Sequence, residues 1–209
     1  MLKIMQQNEN KEEDGIKVIL IGSAGVGKTN LINVTMGYGF TENEKSTGAS
    51  SYSLKKIIIN DKTYKIALWD TIGQEQYKQL TKIFFKDAKI VIFVYDITRK
   101  ETFEALPDWK KDVQEQLGND YIKGVVGNKS DLYLDEEVKV EQGEEYANNN
   151  EAKFLLISAK KDDPKKFEDY LRELLEEYLS KKKGGKKGRF SLDKTETFKK
   201  RNKKDRECC

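Results

Sequence analysis

The stretch Gly22-Ser-Ala-Gly-Val-Gly-Lys-Thr29 decides the fold because of what stands on either side of it. The apolar run Ile16–Gly22 before it is typical of a buried strand, and Lys28–Met36 after it reads as a helix. Glycines in such a loop let successive N–H groups point at phosphate oxygens, and the helix adds its positive end. Lys28 is expected to reach the β- and γ-phosphates, and the Thr29 hydroxyl to bind Mg²⁺. This G-x-x-x-x-G-K-[ST] pattern predicts a nucleoside triphosphate site without choosing between ATP and GTP.

Strand-like and helix-like segments alternate on the C-terminal side of this loop. Buried strands are predicted at Lys89–Asp96, Ile122–Asn128 and Lys153–Ser158. Before them, Ser53–Ile59 and Tyr64–Asp70 read as a hairpin turning at Asn60-Asp61, so one strand is antiparallel. The alternation predicts the α/β fold of P-loop NTPases, a six-stranded and mostly parallel sheet flanked by about five helices. The predicted helical segments are Lys28–Met36, Gln76–Lys86 (irregular to helical), Lys100–Leu117 with a boundary or kink at Pro107, Val140–Asn149 and Pro164–Leu179.

Charge divides the chain into a body and two ends. We expect residues 1–14 to be a polar extension, residues 15–180 the nucleotide-binding domain and residues 181–209 a disordered polybasic tail. The tail holds thirteen Lys/Arg and four Asp/Glu, a net +9, which leaves −6 for the rest of a chain whose total is +3. Such a tail suits an anionic partner, either a membrane or a nucleic acid. Its few aromatic residues offer little for base stacking, so nucleic acid is not an expected partner.

Composition also excludes several classes of protein. The longest apolar run, Ile90–Tyr95, is too short to cross a bilayer, and the N-terminal residues lack the apolar stretch of a signal peptide. The chain has no histidine, which rules out His-based acid–base catalysis, His-containing triads and common zinc sites. Its two cysteines are Cys208 and Cys209, so no disulfide framework is available and a reducing, cytoplasmic location fits best.

The base is predicted from the loops that follow the fifth and sixth strands. Ligands in such sheets bind at the carboxyl ends of the strands, so site residues are expected after Ile21, Leu68, Tyr95, Val126 and Ile157. Asn128-Lys129-Ser130-Asp131 offers a carboxylate that can accept hydrogen bonds from N1–H and N2–H₂ of guanine, a pair of donors that adenine lacks. Asn128 is expected either to pair with the base or to brace the loop, and Lys129 to lie across the ring. Ser158-Ala159-Lys160 is expected to present a backbone N–H to the guanine O6.

Residues suited to hydrolysis follow the third strand in Asp70-Thr-Ile-Gly-Gln74. Asp70 is expected to hold Mg²⁺ mostly through water, Gly73 to donate its N–H to the γ-phosphate, and Gln74 to orient the attacking water. Thr47 lies in the loop before the hairpin and is expected to contact both Mg²⁺ and the γ-phosphate. Two loops held by one phosphate and released by its loss would form a switch.

The motifs GSAGVGKT, WDTIGQE, YDIT, VGNKSDL and SAK occur in this order, and together they resemble the Rab family of the Ras superfamily of small GTPases. The resemblance covers roughly Ile16–Leu179, and Trp69, the helix carrying Trp109 and the terminal Cys-Cys favour Rab over Ras or Rho. It implies a GTPase that cycles between GTP-bound and GDP-bound states in membrane traffic. It also implies exchange factors, GTPase-activating proteins, effectors, and Rab escort protein or GDP dissociation inhibitor as partners.

The resemblance implies further roles for single residues. Phe40 should pack on the guanine, and Tyr52, Trp69 and Phe84 should form an aromatic trio under the effector surface, a role compatible with plain core packing. The predicted nucleotide-binding residues are Gly22, Ser23, Ala24, Gly25, Val26, Gly27, Lys28, Thr29, Asn30, Phe40, Thr47, Gly73, Asn128, Lys129, Asp131, Ser158, Ala159 and Lys160. The predicted magnesium ligands are Thr29, Thr47 and Asp70, and the predicted catalytic residues are Gln74, Lys28 and Thr47.

The tail fits the same resemblance. Rab proteins that end in Cys-Cys carry two geranylgeranyl groups, which implies lipidation at Cys208 and Cys209. Two lipid chains, or one chain with basic charge, are needed for stable membrane attachment, and this tail offers both. The expected location is the cytosolic face of an intracellular membrane, with reversible attachment. The alternative is a disordered end with unmodified cysteines.

The chain departs from the usual Rab pattern around its first switch. Thr47 is followed by Gly48-Ala-Ser-Ser-Tyr52 where Rabs usually have Ile-Gly-Val-Asp-Phe, and Glu44 stands where a tyrosine is common. Ile72 replaces the usual alanine, and Ala24 is small without being glycine. These departures leave open the hypothesis of a weakly hydrolysing GTP/GDP-binding adaptor with an atypical first switch, and they do not affect the prediction of guanine. A third hypothesis, which does not depend on them, is a P-loop kinase or ATPase that binds ATP.

Overall fold

The structure is a computed structural model that describes residues 15–42, 51–71 and 84–187. Within these ranges, six strands form one sheet. The strands are β1 (Ile16–Ile21), β2 (Ser51–Ile59), β3 (Lys62–Asp70), β4 (Ile90–Asp96), β5 (Ile122–Asn128) and β6 (Lys153–Leu156). Their order across the sheet is β2-β3-β1-β4-β5-β6. β2 runs antiparallel to β3, and every other pair is parallel. The predicted sheet is therefore confirmed.

Five α-helices lie within the described ranges, in agreement with the predicted fold, although two of them come from one predicted helix and residues 76–83 of the predicted segment Gln76–Lys86 lie outside those ranges. They are α1 (Lys28–Met36), α2 (Lys100–Glu104), α3 (Leu106–Leu117), α4 (Val140–Asn149) and α5 (Pro164–Lys187), and a 3₁₀ helix covers Ser130–Asp135. The predicted helix Lys100–Leu117 is two helices that meet at Ala105. Pro107 lies in the first turn of α3, where its missing N–H costs nothing, so the boundary predicted there is confirmed. None of the described helices combines the length and apolar character needed to cross a membrane.

The last helix is longer than the sequence pattern predicted. The chain divides into two units, Met1–Tyr178 and Leu179–Cys209, and α5 begins in the first and continues into the second. The pattern predicted an end at Leu179 and disorder from Lys181, but the helix continues to Lys187. Lysine is a good helix former and its charge suits the negative end of the helix dipole, which outweighs the two glycines at 184 and 185.

The central strand β4 is buried along its whole length. It is an interior strand between β1 and β5, and the burial of every residue shows that both of its faces are covered, which explains its apolar sequence up to Asp96. Alternate residues of β1 and β4 share a core cluster with Trp109 and Val113 of α3. Within β5, a Cβ on Gly124 would lie 2.4 Å from the Tyr170 hydroxyl of α5, so the strand needs glycine for this close approach.

The register of the sheet brings the ends of four strands to one edge. Leu20 of β1 pairs with Asp70, the last residue of β3, and Asp96 of β4 pairs with Asn128, the last residue of β5. The loop that follows β1 starts at the same edge. The predicted site residues on separate segments are therefore neighbours because the strands are parallel and end together.

Candidate nucleotide-binding site

The loop between β1 and α1 requires glycine at its first position. Gly22 has φ +146°, and a Cβ there would lie 2.1 Å from the carbonyl oxygen of Val94 on β4. Gly25 and Gly27 also have positive φ, at +73° and +96°. The loop thus curls closely over β4 before α1 begins at Lys28, which matches the cradle expected of a phosphate-binding loop.

Lys28 is placed inside this curl. Its ammonium group donates to the carbonyl oxygens of Gly22 at 2.8 Å and Ser23 at 3.0 Å, and only 6% of the residue is exposed. Buried ammonium groups need such acceptors because desolvation of an uncompensated charge is costly. The positive charge is therefore held at the centre of the loop, where a phosphate chain would lie.

Thr29 and Asp70 meet next to the loop. The Thr29 hydroxyl donates to Asp70 Oδ2 at 2.7 Å, and Asp70 is 5% exposed at the end of β3. A hydroxyl and a carboxylate are hard oxygen donors of the kind that Mg²⁺ prefers. Two of the three side chains predicted to bind the metal, which come from separate segments of the chain, are thus neighbours, and they fit a magnesium ion.

Asn128 braces the loops on either side of it. Its Nδ2 donates to the Val26 carbonyl at 2.8 Å, its Oδ1 accepts the Ala159 N–H at 3.1 Å, and the residue is 1% exposed. A Cβ on Gly27 would lie 2.3 Å from that Nδ2, so glycine is required for this contact as well. Of the two roles considered for Asn128, the structure has the brace, which joins the phosphate loop to the segment after β6.

Asp131 is oriented by Ser158. The Ser158 hydroxyl donates to Asp131 Oδ1 at 2.5 Å and accepts the backbone N–H groups of Lys160 at 3.2 Å and Lys161 at 3.0 Å. A carboxylate held in this way presents a fixed acceptor, which is what recognition of a guanine edge requires. The Ala159 N–H donates to Asn128 Oδ1 and the Lys160 N–H donates to the Ser158 hydroxyl. The contact of this segment with the guanine O6 stays a prediction.

Lys129 is fixed by a carboxylate that sequence reasoning did not select. Its backbone is left-handed, with φ +67°, and its ammonium lies 2.6 Å from Oδ2 of Asp96. Burial alone would raise the pKa of Asp96, but hydrogen bonds from Lys129 and Thr98, with the charge of Lys129, lower it below its ordinary value of 3.8. Asp96 directly follows Tyr95, one of the strand ends where site residues were expected, so its position was the signal that could have identified it.

Phe40 lies near the loop that follows β6. Asn30 of α1 exchanges two hydrogen bonds of 2.9 Å with the backbone of Thr41, which anchors this segment to the helix. The Lys160 ammonium lies 5.9 Å from the centre of the Phe40 ring and pairs with Glu42 at 2.6 Å. Phe40 is 37% exposed. The ring is therefore on the same side of the site as the loops assigned to the base, where the resemblance places it.

The three aromatic residues expected under the effector surface are in contact. Tyr52 stacks on Trp69 with ring centres 5.0 Å apart, and Trp69 contacts Phe84 at 6.1 Å. Lys17 lies 4.3 Å above the Trp69 ring. Tyr52 is 55% exposed, so the cluster reaches the surface and is more than core packing.

Several predicted residues lie outside the described part of the chain. They are the switch and hydrolysis residues Thr47, Gly73 and Gln74, the departures Glu44, Gly48–Ser50 and Ile72, and the lipidation residues Cys208 and Cys209. Ser51 is described only as the first backbone position of β2. Their roles stay predictions.

Comparison with known proteins points to one family. The Ras family sequence model matches residues 17–180. Ras-related protein Rab-12 of Mus musculus is 40% identical over 132 residues, which cover 63% of this chain and 54% of that protein, so the match spans about half its length. Rab-30 of Homo sapiens is 36% identical over 148 residues, 70% of this chain and 72% of that protein. Rab-21 of Bos taurus is 37% identical over 144 residues, 69% and 65%. With the predicted motifs, sheet order and loop geometry in agreement, this chain belongs to the Rab family of Ras-related small GTPases.

Proposed function

We propose that this protein binds GTP and GDP together with Mg²⁺, hydrolyses GTP, and alternates between two nucleotide states that regulate membrane traffic. The observation that carries the proposal is the brace by Asn128, which joins the phosphate loop at Val26 to the segment after β6 at Ala159. One buried side chain thereby sets the distance between the loop suited to phosphates and the loops suited to the base.

The phosphate end is served by Lys28, Thr29 and Asp70. Lys28 would offer its charge to the β- and γ-phosphates, and Thr29 and Asp70 would hold the metal, Asp70 mostly through water. Magnesium, when bound, would neutralise charge on the phosphate oxygens. Lys28 and Asp70 are nearly excluded from solvent, so their charges act on the phosphates with little screening by water.

The base end selects guanine through Asp131. Its carboxylate would accept hydrogen bonds from N1–H and N2–H₂, while Lys129 and Phe40 would cover the ring. Adenine would leave the oriented acceptor unsatisfied, at a cost of about 1–3 kcal/mol. ATP is therefore expected to compete poorly with labelled GDP, and efficient competition would favour the kinase or ATPase hypothesis.

Hydrolysis and switching depend on residues for which the proposal rests on sequence alone. Gln74 would orient the attacking water, and Thr47 and Gly73 would contact the γ-phosphate until it leaves. The aromatic cluster of Tyr52, Trp69 and Phe84 lies beside the end of β3. The segment that carries Gly73 and Gln74 follows β3 in the sequence. We propose that effectors recognise the GTP-bound state at this aromatic cluster.

Membrane attachment would come from the tail. Two geranylgeranyl groups on Cys208 and Cys209, with the basic segment before them, would hold the protein reversibly at the cytosolic face of an intracellular membrane. Rab escort protein and GDP dissociation inhibitor would handle the lipidated form, and exchange factors and GTPase-activating proteins would drive the cycle. Mass spectrometry of protein from a eukaryotic host tests this point, since absence of two prenyl groups would remove the lipid anchor.

Single-turnover hydrolysis of GTP tests the enzymatic part. We expect Gln74→Leu to slow hydrolysis by about tenfold or more, because leucine cannot orient water. Gln76→Leu, the same substitution two residues away, is the matched control and should leave the rate near that of the wild type. Equal rates for wild type and Gln74→Leu would contradict the assigned role.

The same preparation separates a switch from an adaptor. A switch should bind GDP and a GTP analogue with comparable affinity, whereas an adaptor with an atypical first switch should strongly prefer GDP. The adaptor is worth testing because Glu44 and residues 48–51 depart from the usual Rab pattern.

A further inference from the structure

Asp96 is a carboxylate near the site that contacts the side chains of three residues, Thr98, Arg99 and Lys129. It is fully buried at the end of β4, and its Oδ1 accepts the N–H and hydroxyl of Thr98 at 3.0 and 2.8 Å. Its Oδ2 accepts Nε of Arg99 at 3.0 Å and lies 2.6 Å from the Lys129 ammonium. One carboxylate oxygen therefore holds two cations that come from different loops.

Arg99 makes a second contact with the phosphate loop. Its Nη2 donates to the Ala24 carbonyl at 2.9 Å, and a Cβ on Gly25 would lie 3.5 Å from the same nitrogen. The guanidinium thus lies against the first half of the loop, while Lys28 occupies its interior. A planar guanidinium can serve Asp96 and Ala24 at once, which the single nitrogen of lysine cannot do equally well.

The turn that carries Arg99 is itself fixed. The Arg99 N–H donates to the Asp96 carbonyl at 3.1 Å, and the Thr102 hydroxyl donates to the Arg99 carbonyl at 2.7 Å. Thr102 also accepts the Asp96 N–H at 3.0 Å and is 1% exposed. The backbone from which the Arg99 side chain projects is therefore fixed at the start of α2, and Asp96 and Ala24 hold the guanidinium itself.

We propose that Asp96 couples the two ends of the nucleotide site through these cations, with Arg99 as a positioning residue for the phosphate loop and Lys129 held for the base. The inference rests on the proposed function and extends it to two residues, Asp96 and Arg99, to which the motifs assigned no role. Arg99 fixes the Ala24–Gly25 segment and adds positive charge beside it. Arg99 thereby strengthens binding of the terminal phosphate of GDP, whereas recognition of the base by Asp131 does not depend on Arg99.

The coupling predicts a selective defect, which a general loss of packing would not produce. A less rigid first half of the phosphate loop should lower the affinity for GDP more than the affinity for GMP, because GMP lacks the β-phosphate. The preference for GDP over inosine diphosphate, which lacks the 2-amino group read by Asp131, should stay unchanged. A purely structural role for Arg99 would lower all three affinities together and leave both ratios as they are.

The test is nucleotide binding by full-length Arg99→Ala, with GDP, GMP and inosine diphosphate as the ligands. We expect GDP affinity to fall about three- to tenfold, the size of one lost hydrogen bond from a partly exposed charge, and GMP affinity to change less than about twofold. Lys100→Ala is the matched control, because it removes an adjacent charge whose ion pair with Glu104 is exposed. Arg99→Lys keeps the positive charge and a hydrogen-bond donor. Its GDP:GMP ratio, the affinity for GDP divided by the affinity for GMP, should therefore lie between those of Arg99→Ala and the wild type.

Two different failures can be told apart. If the wild type binds GDP but Arg99→Ala keeps the wild-type GDP:GMP ratio, the role of Arg99 is wrong and the proposed function stands. A wild type that binds no guanine nucleotide would overturn the proposed function as well. Asp96→Asn adds a second check, because it releases both cations: it should lower the GDP:GMP ratio and also weaken GMP itself, and an unchanged GMP affinity would contradict the coupling.

Discussion

At the scale of single residues, Asp131 offers the clearest test of base recognition. Its carboxylate is oriented by the Ser158 hydroxyl at 2.5 Å, so its acceptors have a fixed direction. Asp131→Asn replaces one acceptor with an N–H₂ donor, which would face the 2-amino group of guanine. We expect GDP affinity to fall by about tenfold to a hundredfold, as for an unsatisfied polar contact. Xanthosine diphosphate, whose C2 oxygen can accept from the new amide, should bind better than to the wild type.

The control for this substitution is Asp135→Asn. Asp135 is exposed at the end of the same 3₁₀ helix, so the charge change is identical and the base contact is absent. Titration of both variants with labelled GDP and xanthosine diphosphate gives the comparison. If Asp131→Asn and Asp135→Asn behave alike, the carboxylate of Asp131 does not read the base.

A second residue-scale prediction concerns acid stability. The pKa of Asp96 is lowered in the folded protein, because its bonds with Lys129 and Thr98 outweigh the effect of burial. A carboxyl group with a lowered folded-state pKa stabilises the protein above its ordinary value of 3.8, and this stabilisation is lost as the pH falls through the folded-state value. Wild type should therefore exceed Asp96→Asn in stability near neutral pH, and the difference should shrink below that pKa.

Urea unfolding at a series of pH values, with the same nucleotide present throughout, measures this difference. Asp120→Asn, at an exposed carboxylate between α3 and β5, serves as the comparison. A gap between wild type and Asp96→Asn that stays constant into the acid range would show that the charge of Asp96 is not what stabilises the fold.

At the scale of elements, the junction of β1 with the phosphate loop depends on glycine. A methyl group on Gly22 would meet the backbone oxygen of Val94 at 2.1 Å, and β4 cannot move away without breaking its pairing with β1 and β5. Gly22→Ala should lower the free energy of unfolding by about 2–5 kcal/mol and weaken GDP binding, because strain and overpacking add together. Gly39→Ala is the control, since it also has positive φ (+84°) but meets nothing within 4 Å. Chemical denaturation of both variants separates backbone strain from steric clash, and equal losses would contradict the clash.

The limits of the strands and helices show which features of the fold the sequence pattern predicts. Strands β4 and β5 were predicted within one residue. The limits of β4 are sharp because a buried parallel strand is nearly continuous in apolar residues, and β5 was recognised from its apolar residues Ile122, Val125 and Val126 before the Asn128-Lys129 motif. The turn at Asn60-Asp61 was predicted because both residues tolerate positive φ, and they have φ +47° and +59°. The end of α5 was missed because lysine-rich sequence favours helix as readily as it favours solvated disorder. The break at Ala105 was predicted only approximately, from Pro107 two residues further along the chain.

The residues of the site likewise divide into those that the sequence identified and those that it did not. Lys28, Thr29, Asn128 and Asp131 were identified because contiguous motifs place them at strand ends, where the topology brings them together. Asp96 and Arg99 were not, since their roles depend on contacts with Lys129 and Ala24 that no local pattern encodes. Sequence spacing can locate a residue at an edge of the sheet, but the partner of its side chain is determined by folding.

At the scale of the whole molecule, nucleotide binding and folding should be coupled. The phosphate loop, the end of β3 and the loops after β5 and β6 contribute to one site, so a ligand that joins them binds the folded chain alone. GDP with Mg²⁺ at about a hundred times its dissociation constant should raise the free energy of unfolding by about 2.7 kcal/mol. ATP at the same concentration should give no comparable gain, and chelation of Mg²⁺ with EDTA should reduce the gain from GDP because Thr29 and Asp70 lose the ion they would share. Thermal unfolding with each ligand measures this, with Asp131→Asn as the variant that should respond least to GDP. A molecule that ATP and GDP stabilise equally would contradict guanine selection, whereas one that GDP stabilises equally with and without Mg²⁺ would contradict only the metal site.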